Sequence, residues 1–164
     1  MGSLVAAQSV TFTLLALWGV RAPDTALLLP SARLEVAAAV TAVAVAMTVA
    51  ALAVSAAARS ADQTMPALVG LVMAQLVLCG GLFSLAGRTG LEQMSWLLPA
   101  RFGYASGAAT IGLQPSSVPA ADPLFEPTAQ QWLLNLGALG LHFVAFTLVA
   151  AIFLARSVAR GGPR

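Results

Sequence analysis

His142, Gln75 and Asn135 are polar side chains set inside long apolar runs, and Cys79 is the single cysteine of the chain. An imidazole can relay a proton or hold a metal, but only with partners. The nearest candidate on the helical face of His142 is Asn135, about two turns away, so His142 reads as a hydrogen-bonded packing residue. That reading goes against the default that a histidine inside a membrane is functional. Gln75 either glues helices together or lines a polar cavity, since both satisfy a buried amide. Cys79 excludes a disulfide within the chain and any CxxC redox pair; it reads as a small apolar residue. No P-loop, G-x-G-x-x-G, H-E-x-x-H or paired metal-ligand spacing occurs. With no nucleophile, acid/base pair or metal set, an enzyme is the weakest reading. No Asp, Glu, Lys or Arg lies in the centre of an apolar segment, and Glu35 stands only at the start of one. Transport driven by ions or protons normally needs an intramembrane carboxylate, so the chain carries no evident energy coupling of its own.

The elements that hold these residues follow from composition. Of 164 residues, 59% are hydrophobic and 9% charged, with a mean hydropathy of +0.89. A soluble domain carries about 25% charged residues, so a soluble enzyme is excluded, as is disorder. An all-α, polytopic membrane protein remains. A span takes roughly 20 apolar residues, and four segments qualify: about 4–20, 36–58, 65–86 and 132–155. The first is the shortest and most polar; a signal peptide would need a positive region before Leu4, and none is there. The second alternates Ala and Val like a strand, but its length argues for a helix. Its Ala38, Ala42, Ala46 and Ala50 form a smooth face for close helix approach. Thr64 can cap the third segment, with Pro66 in its first turn. Thr128 and Gln131 have capping-box spacing before the fourth, Trp132 suits an interfacial anchor, and Gly137 with Gly140 gives a narrow patch. All eight basic residues are arginine, and the formal charge is +2, with no basic run that would suit nucleic acid. Arginines are denser in the short loop 59–64 and in the tail than elsewhere, which favours N-in, C-in.

The stretch 87–131 is too long for a simple connection. Leu91 to Ala109 is amphipathic to apolar, with Trp96, Phe102, Tyr104 and a G-x-x-x-G pair at Gly103 and Gly107. It reads as a helix that dips into the membrane or lies on its outer face, followed by a Pro/Ser/Ala/Asp loop from Pro115 to Pro127.

The string QLVLCGGLFSLAG (Gln75 to Gly87) followed by MSWLLPARFGYASGA (Met94 to Ala108) resembles the membrane domain of ABC exporters of the G (White) subfamily. In that family a span ends in a small-residue turn and two bulky apolar residues, here Gly80, Gly81, Leu82 and Phe83. A re-entrant stretch follows with Trp and Pro-x-Arg-aromatic, here Trp96, Pro99, Arg101 and Phe102. A final span and a short basic tail complete the pattern. The chain is most similar to actinobacterial members that fuse forkhead-associated domains, an ATPase and this permease; these share a PARxGxAA-like stretch and an acidic, Trp-containing run like Asp122 to Trp132.

The resemblance implies that residues 1–164 are a partial permease domain, with the four segments as the third to sixth spans of six. It leaves the first two spans and the ATPase outside this chain, so a fragment, a split half or a degenerate copy is expected. It further implies a cavity lined by the third segment with Gln75, and an apolar outer gate at Leu82 and Phe83. From residue type alone those two read as ordinary membrane packing ahead of a gate; the resemblance brings the two readings level. Arg101 would satisfy carbonyls of the broken helix or pair with Glu92, in preference to a lipid head group. The loop holding Arg59 and Asp62 would face the ATPase or simply hold two spans together. The implied partners are an ABC ATPase, a second permease copy and membrane lipids, with no nucleic acid. ATP and Mg would bind the ATPase, and neither metal nor cofactor this chain. The expected function is the permease portion of an exporter of a lipid, glycolipid or other amphipathic compound in the cell membrane. The alternatives are a membrane scaffold or a small four-span transporter.

Overall fold

The computed structural model describes residues 2–20, 26–58, 60–113 and 122–159, with the side chains of Ala61 and Ser157 outside the description. Arg59 and most of the expected Pro115–Pro127 loop lie outside the described residues. Among the described residues six α-helices follow in chain order: α1 (Gly2–Ala16), α2 (Ala32–Ala57), α3 (Ala61–Leu78), α4 (Leu91–Ser95), α5 (Pro99–Ile111) and α6 (Ala129–Ala159). A single 3-10 turn, Pro123–Phe125, precedes α6. No strand occurs among the described residues, so the protein is all-α, as its composition predicts.

The helix α2 is the hub; α6, α1 and α5 all pack on it. Its alanines make that possible, because a methyl side chain lets neighbouring backbones come close. Ala37, Ala39, Ala46, Ala50 and Ala53 are buried. Of the four-residue alanine stripe, Ala46 and Ala50 are covered, whereas Ala38 and Ala42 line an open groove of about 570 Å³ with Val10 of α1 and Leu136, Gly140 and Phe143 of α6.

Two described helices are long and apolar enough to cross a membrane, Ala32–Ala57 and Ala129–Arg156, while Gly2–Ala16 and Asp62–Leu78 are apolar but shorter. The first segment was expected to run to Val20, yet α1 stops at Ala16 and the chain turns through Leu17–Val20. At 1.5 Å per residue, α1 extends about 22 Å, short of a hydrocarbon core of about 30 Å. The third segment was expected to run from Met65 to Ala86. Instead α3 begins at Ala61 and ends at Leu78, where Cys79 leads into Gly80 at φ +87°. A left-handed backbone cannot continue a right-handed helix. The earlier start also corrects the capping assignment. Ser60 holds the N-cap position, the Thr64 hydroxyl donates to the Ser60 carbonyl at 3.2 Å, and Pro66 sits inside the helix. Asp62 is in the first turn of α3 and exposed.

At the start of α2, Ser31 adopts an extended N-cap conformation and its hydroxyl accepts from the Leu34 N–H at 3.4 Å. Glu35 is fully buried, and its Oε1 accepts the N–H groups of Leu28 and Leu29 at 2.6 and 3.0 Å. The carboxylate thus closes the loop that leads into the helix. Glu35→Ala leaves both amides unpaired and is expected to cost about 2 kcal/mol. Thermal unfolding in mild detergent reads this, and Glu35→Gln, which retains an acceptor, should recover about half.

At the start of α6, the Thr128 hydroxyl accepts from Gln131 N–H at 3.2 Å, so one half of the expected capping box forms. The Gln131 side chain does not return to the cap; it donates forward to Asn135 Oδ1 at 3.2 Å. Trp132 is buried rather than interfacial.

Candidate functional site

Four buried polar residues, Gln75, Arg101, Asp122 and Asn135, lie where α3, α5, the 3-10 turn and α6 meet. Pro99 opens α5, a place where its missing N–H costs no helical bond. The next N–H, of Ala100, donates to Gln75 Oε1 at 2.8 Å. Gln75 is therefore the side chain that pins the start of α5 to the end of α3. It also lines an apolar groove of about 620 Å³ with Val40, Val43, Tyr104 and Gly107. Of the two roles open to its residue type, the hydrogen bond fits the joining of helices; the groove beside it is apolar and not a polar cavity.

One residue further on, Arg101 is buried, with its side chain 1% exposed, and its Nη2 pairs with Asp122 Oδ2, itself 6% exposed. Neither expected partner is used: Glu92 instead accepts from the Gly87 N–H at 3.2 Å, and no carbonyl accepts from Arg101. The physical reason is that Asp122 introduces the 3-10 turn. Its other oxygen, Oδ1, accepts the Leu124 N–H at 3.1 Å, so one carboxylate both shapes the turn and neutralises the guanidinium. The Arg101 Cζ lies 5.4 Å from the centre of the Phe125 ring, within cation–π range. Tyr104, one turn along α5, meets the same ring edge-on at 5.6 Å. Ala105, Ala108 and Phe125 form the small apolar cluster beneath. Asn135 completes the junction by donating from Nδ2 to the Leu124 carbonyl at 3.0 Å.

His142 holds the other side of the same region. Its Nδ1 lies 2.7 Å from the Ala138 carbonyl and its Nε2 3.1 Å from the Trp96 carbonyl, at the turn between α4 and α5. A neutral imidazole has one N–H to donate. Phe102 and Phe146 flank the ring at 5.4 and 5.9 Å between centres. His142 is thus hydrogen-bonded and packed, and Asn135 serves a different partner.

Leu82 is 72% exposed and Phe83 half-buried, with the Arg88 guanidinium 5.4 Å from the Phe83 ring. Trp96 is exposed at the tip of the α4–α5 turn. The structure brings Gln75, Pro99, Arg101 and Phe102 to one junction. Asp62 stands at the opposite end of α3 from Gln75. Tyr104 and Phe125 were not singled out as site residues, and Asp122 was noted only as part of an acidic run. A carboxylate followed by Pro is a turn signal, and that was the one cue available for Asp122.

The geometry is that of a braced helical hairpin packed on a helical bundle. Over 152 aligned residues, covering 87% of this chain, the sequence is 41% identical to an ABC transporter ATP-binding/permease protein of Mycobacterium tuberculosis. The similarity supports kinship with ABC transporters. The chain spans 17% of the length of that relative. No protein-family profile matches the chain, and no solved structure matches it. ABC transporter kinship and two span-length apolar helices together support a membrane protein.

Proposed function

We propose that the chain is the membrane-spanning permease portion of an ATP-driven ABC exporter, with ATP hydrolysis supplied by a partner domain or chain. One observation carries this reading: the aligned region is apolar and all-helical, so it corresponds to the permease part of an ATP-binding/permease protein. The sequence holds no Gly-rich loop that would cradle phosphates, so ATP and Mg belong to the partner. A second permease copy and bound lipid complete the proposed assembly in the cell membrane. An apolar groove with few polar groups suits a lipid, glycolipid or other amphipathic cargo. Leu82 and Phe83, at the turn that leaves α3, are proposed as an apolar outer constriction, which can close a pathway without charge.

The test is a mild-detergent pull-down of the tagged chain from its native membrane, with partners identified by mass. An ABC ATPase with further spans is the expected result. Recovery of the chain alone would replace the exporter with a membrane scaffold. In the recovered complex, Leu82→Ala with Phe83→Ala should raise basal ATP turnover or substrate leak several-fold. Unchanged rates for both would remove the constriction.

A further inference from the structure

We propose that Arg101 is a positioning residue for the turn that carries Leu82 and Phe83, acting through direct contact with Gly80. The significance for transport rests on the exporter reading; the positioning itself does not. Gly80 has φ +87°, and a Cβ placed there would collide with Arg101 Nη1 and approach the Phe125 ring at 3.4 Å. A Cβ on Gly81 would stand 3.0 Å from the Tyr104 ring. The two glycines therefore lie flat on two side chains of α5 that are one turn apart. The guanidinium fills the space that a Cβ would need. Asp122 and Phe125 fix the guanidinium from its other edges. Its Nε and Nη1 have no hydrogen-bond partner, so the contact with Gly80 is packing against backbone. The turn is further held from within, because Cys79 Sγ accepts the Gly81 N–H at 3.4 Å. Leu82 follows directly, exposed, with no packing of its own to fix it. The entry to the apolar pair, at Leu82, is thus set by a charge-paired residue about twenty positions further along the chain, while Phe83 also has the Arg88 guanidinium beside its ring.

The contact makes a sharp demand. Adding a methyl at Gly80 strains the left-handed backbone in any background, but it adds the clash only while Arg101 is present, so its effect should shrink once Arg101 is gone. The experiment uses the full chain in its membrane, with Cys79→Ser and Leu82→Cys carrying a nitroxide spin label. Serine retains a donor and acceptor for the Leu76 and Gly81 backbone. The ratio of mobile to immobile label is read from the line shape, and circular dichroism checks helical content in every variant. Arg101→Ala should raise that ratio roughly tenfold, Gly80→Ala should raise it at least as much because clash and backbone strain combine, and the double variant should fall well short of the product of the two, as expected for neighbours in contact. Should Arg101→Ala fail to fold, Arg101→Lys takes its place; it keeps a charge for Asp122 but loses the planar group against Gly80. An unchanged ratio in a folded Arg101 variant, or effects that simply multiply, would overturn the proposal. A mobile turn with unchanged ATP turnover would uphold the positioning role and remove the constriction instead.

Discussion

Asp122→Ala is expected to destabilise the folded chain by about 3–5 kcal/mol, the cost typical of removing one partner from a buried ion pair. The loss is larger than the Coulomb attraction alone suggests. Arg101 stays charged in any protein environment, and its side chain has almost no water to turn to. Among the described residues its Nε and Nη1 lack hydrogen-bond partners, so beside the Phe125 ring Asp122 is the only group that compensates the charge. The carboxylate also shapes the 3-10 turn through Leu124, and α5, that turn and α6 loosen together. Thermal unfolding in detergent measures the single variant beside Arg101→Leu with Asp122→Leu. The double variant should recover most of the loss, because apolar residues of similar volume often replace a buried pair without penalty. A single loss below about 1 kcal/mol would mean that the pair behaves as an exposed one.

Gly103→Ala should cost about 1–3 kcal/mol and Gly103→Leu more, whereas Gly107→Ala should be neutral or stabilising. The two glycines are spaced as a close-packing pair, yet they do different things. A Cβ at Gly103 would collide with Val43 Cγ2, so this is where α5 presses on α2. A Cβ at Gly107 meets nothing within 4 Å, since that position faces the groove between α2, α3 and α5. An alanine there gains helix propensity at no steric cost. The check is a comparison of melting temperatures, with Val43→Ala added to Gly103→Ala. That second change should restore stability if the clash is the cause. Equal behaviour of the two glycines would show that spacing, and no particular contact, governs the pair.

The helices α2 and α6 were legible because a long apolar run without breaks has few other stable forms in a membrane. The end of α1 was not, and that of α3 was marked only by the small-residue turn at Gly80 and Gly81 that the resemblance supplied. Apolar residues continue past both, and hydropathy does not register that Gly80 takes a left-handed conformation. The helical stretch of α4 and α5 was visible as an amphipathic to apolar piece, and Arg101 stood out as a charge inside it. Its partner was hidden because Asp122 lies 21 positions away and nothing local links them. Glu35 was read as the mere edge of a span. Its acceptor role toward Leu28 and Leu29 depends on a loop folding back, which no periodicity reports. His142 was legible as a packing residue because no second ligand stood at helical spacing.

The pairing of Arg101 with Asp122 also sets an order on biosynthesis. Ribosomes release α5 before the acidic residue that neutralises it has been made. Until then the helix carries an unpaired guanidinium, which costs about 2.5–3.5 kcal/mol at the centre of a membrane. The hairpin of α4 and α5 therefore lacks its brace until Asp122 has been made. It seats only when the 3-10 turn arrives, just ahead of α6. A chain truncated before residue 122 would leave that hairpin unseated, and quality-control proteases would meet it first.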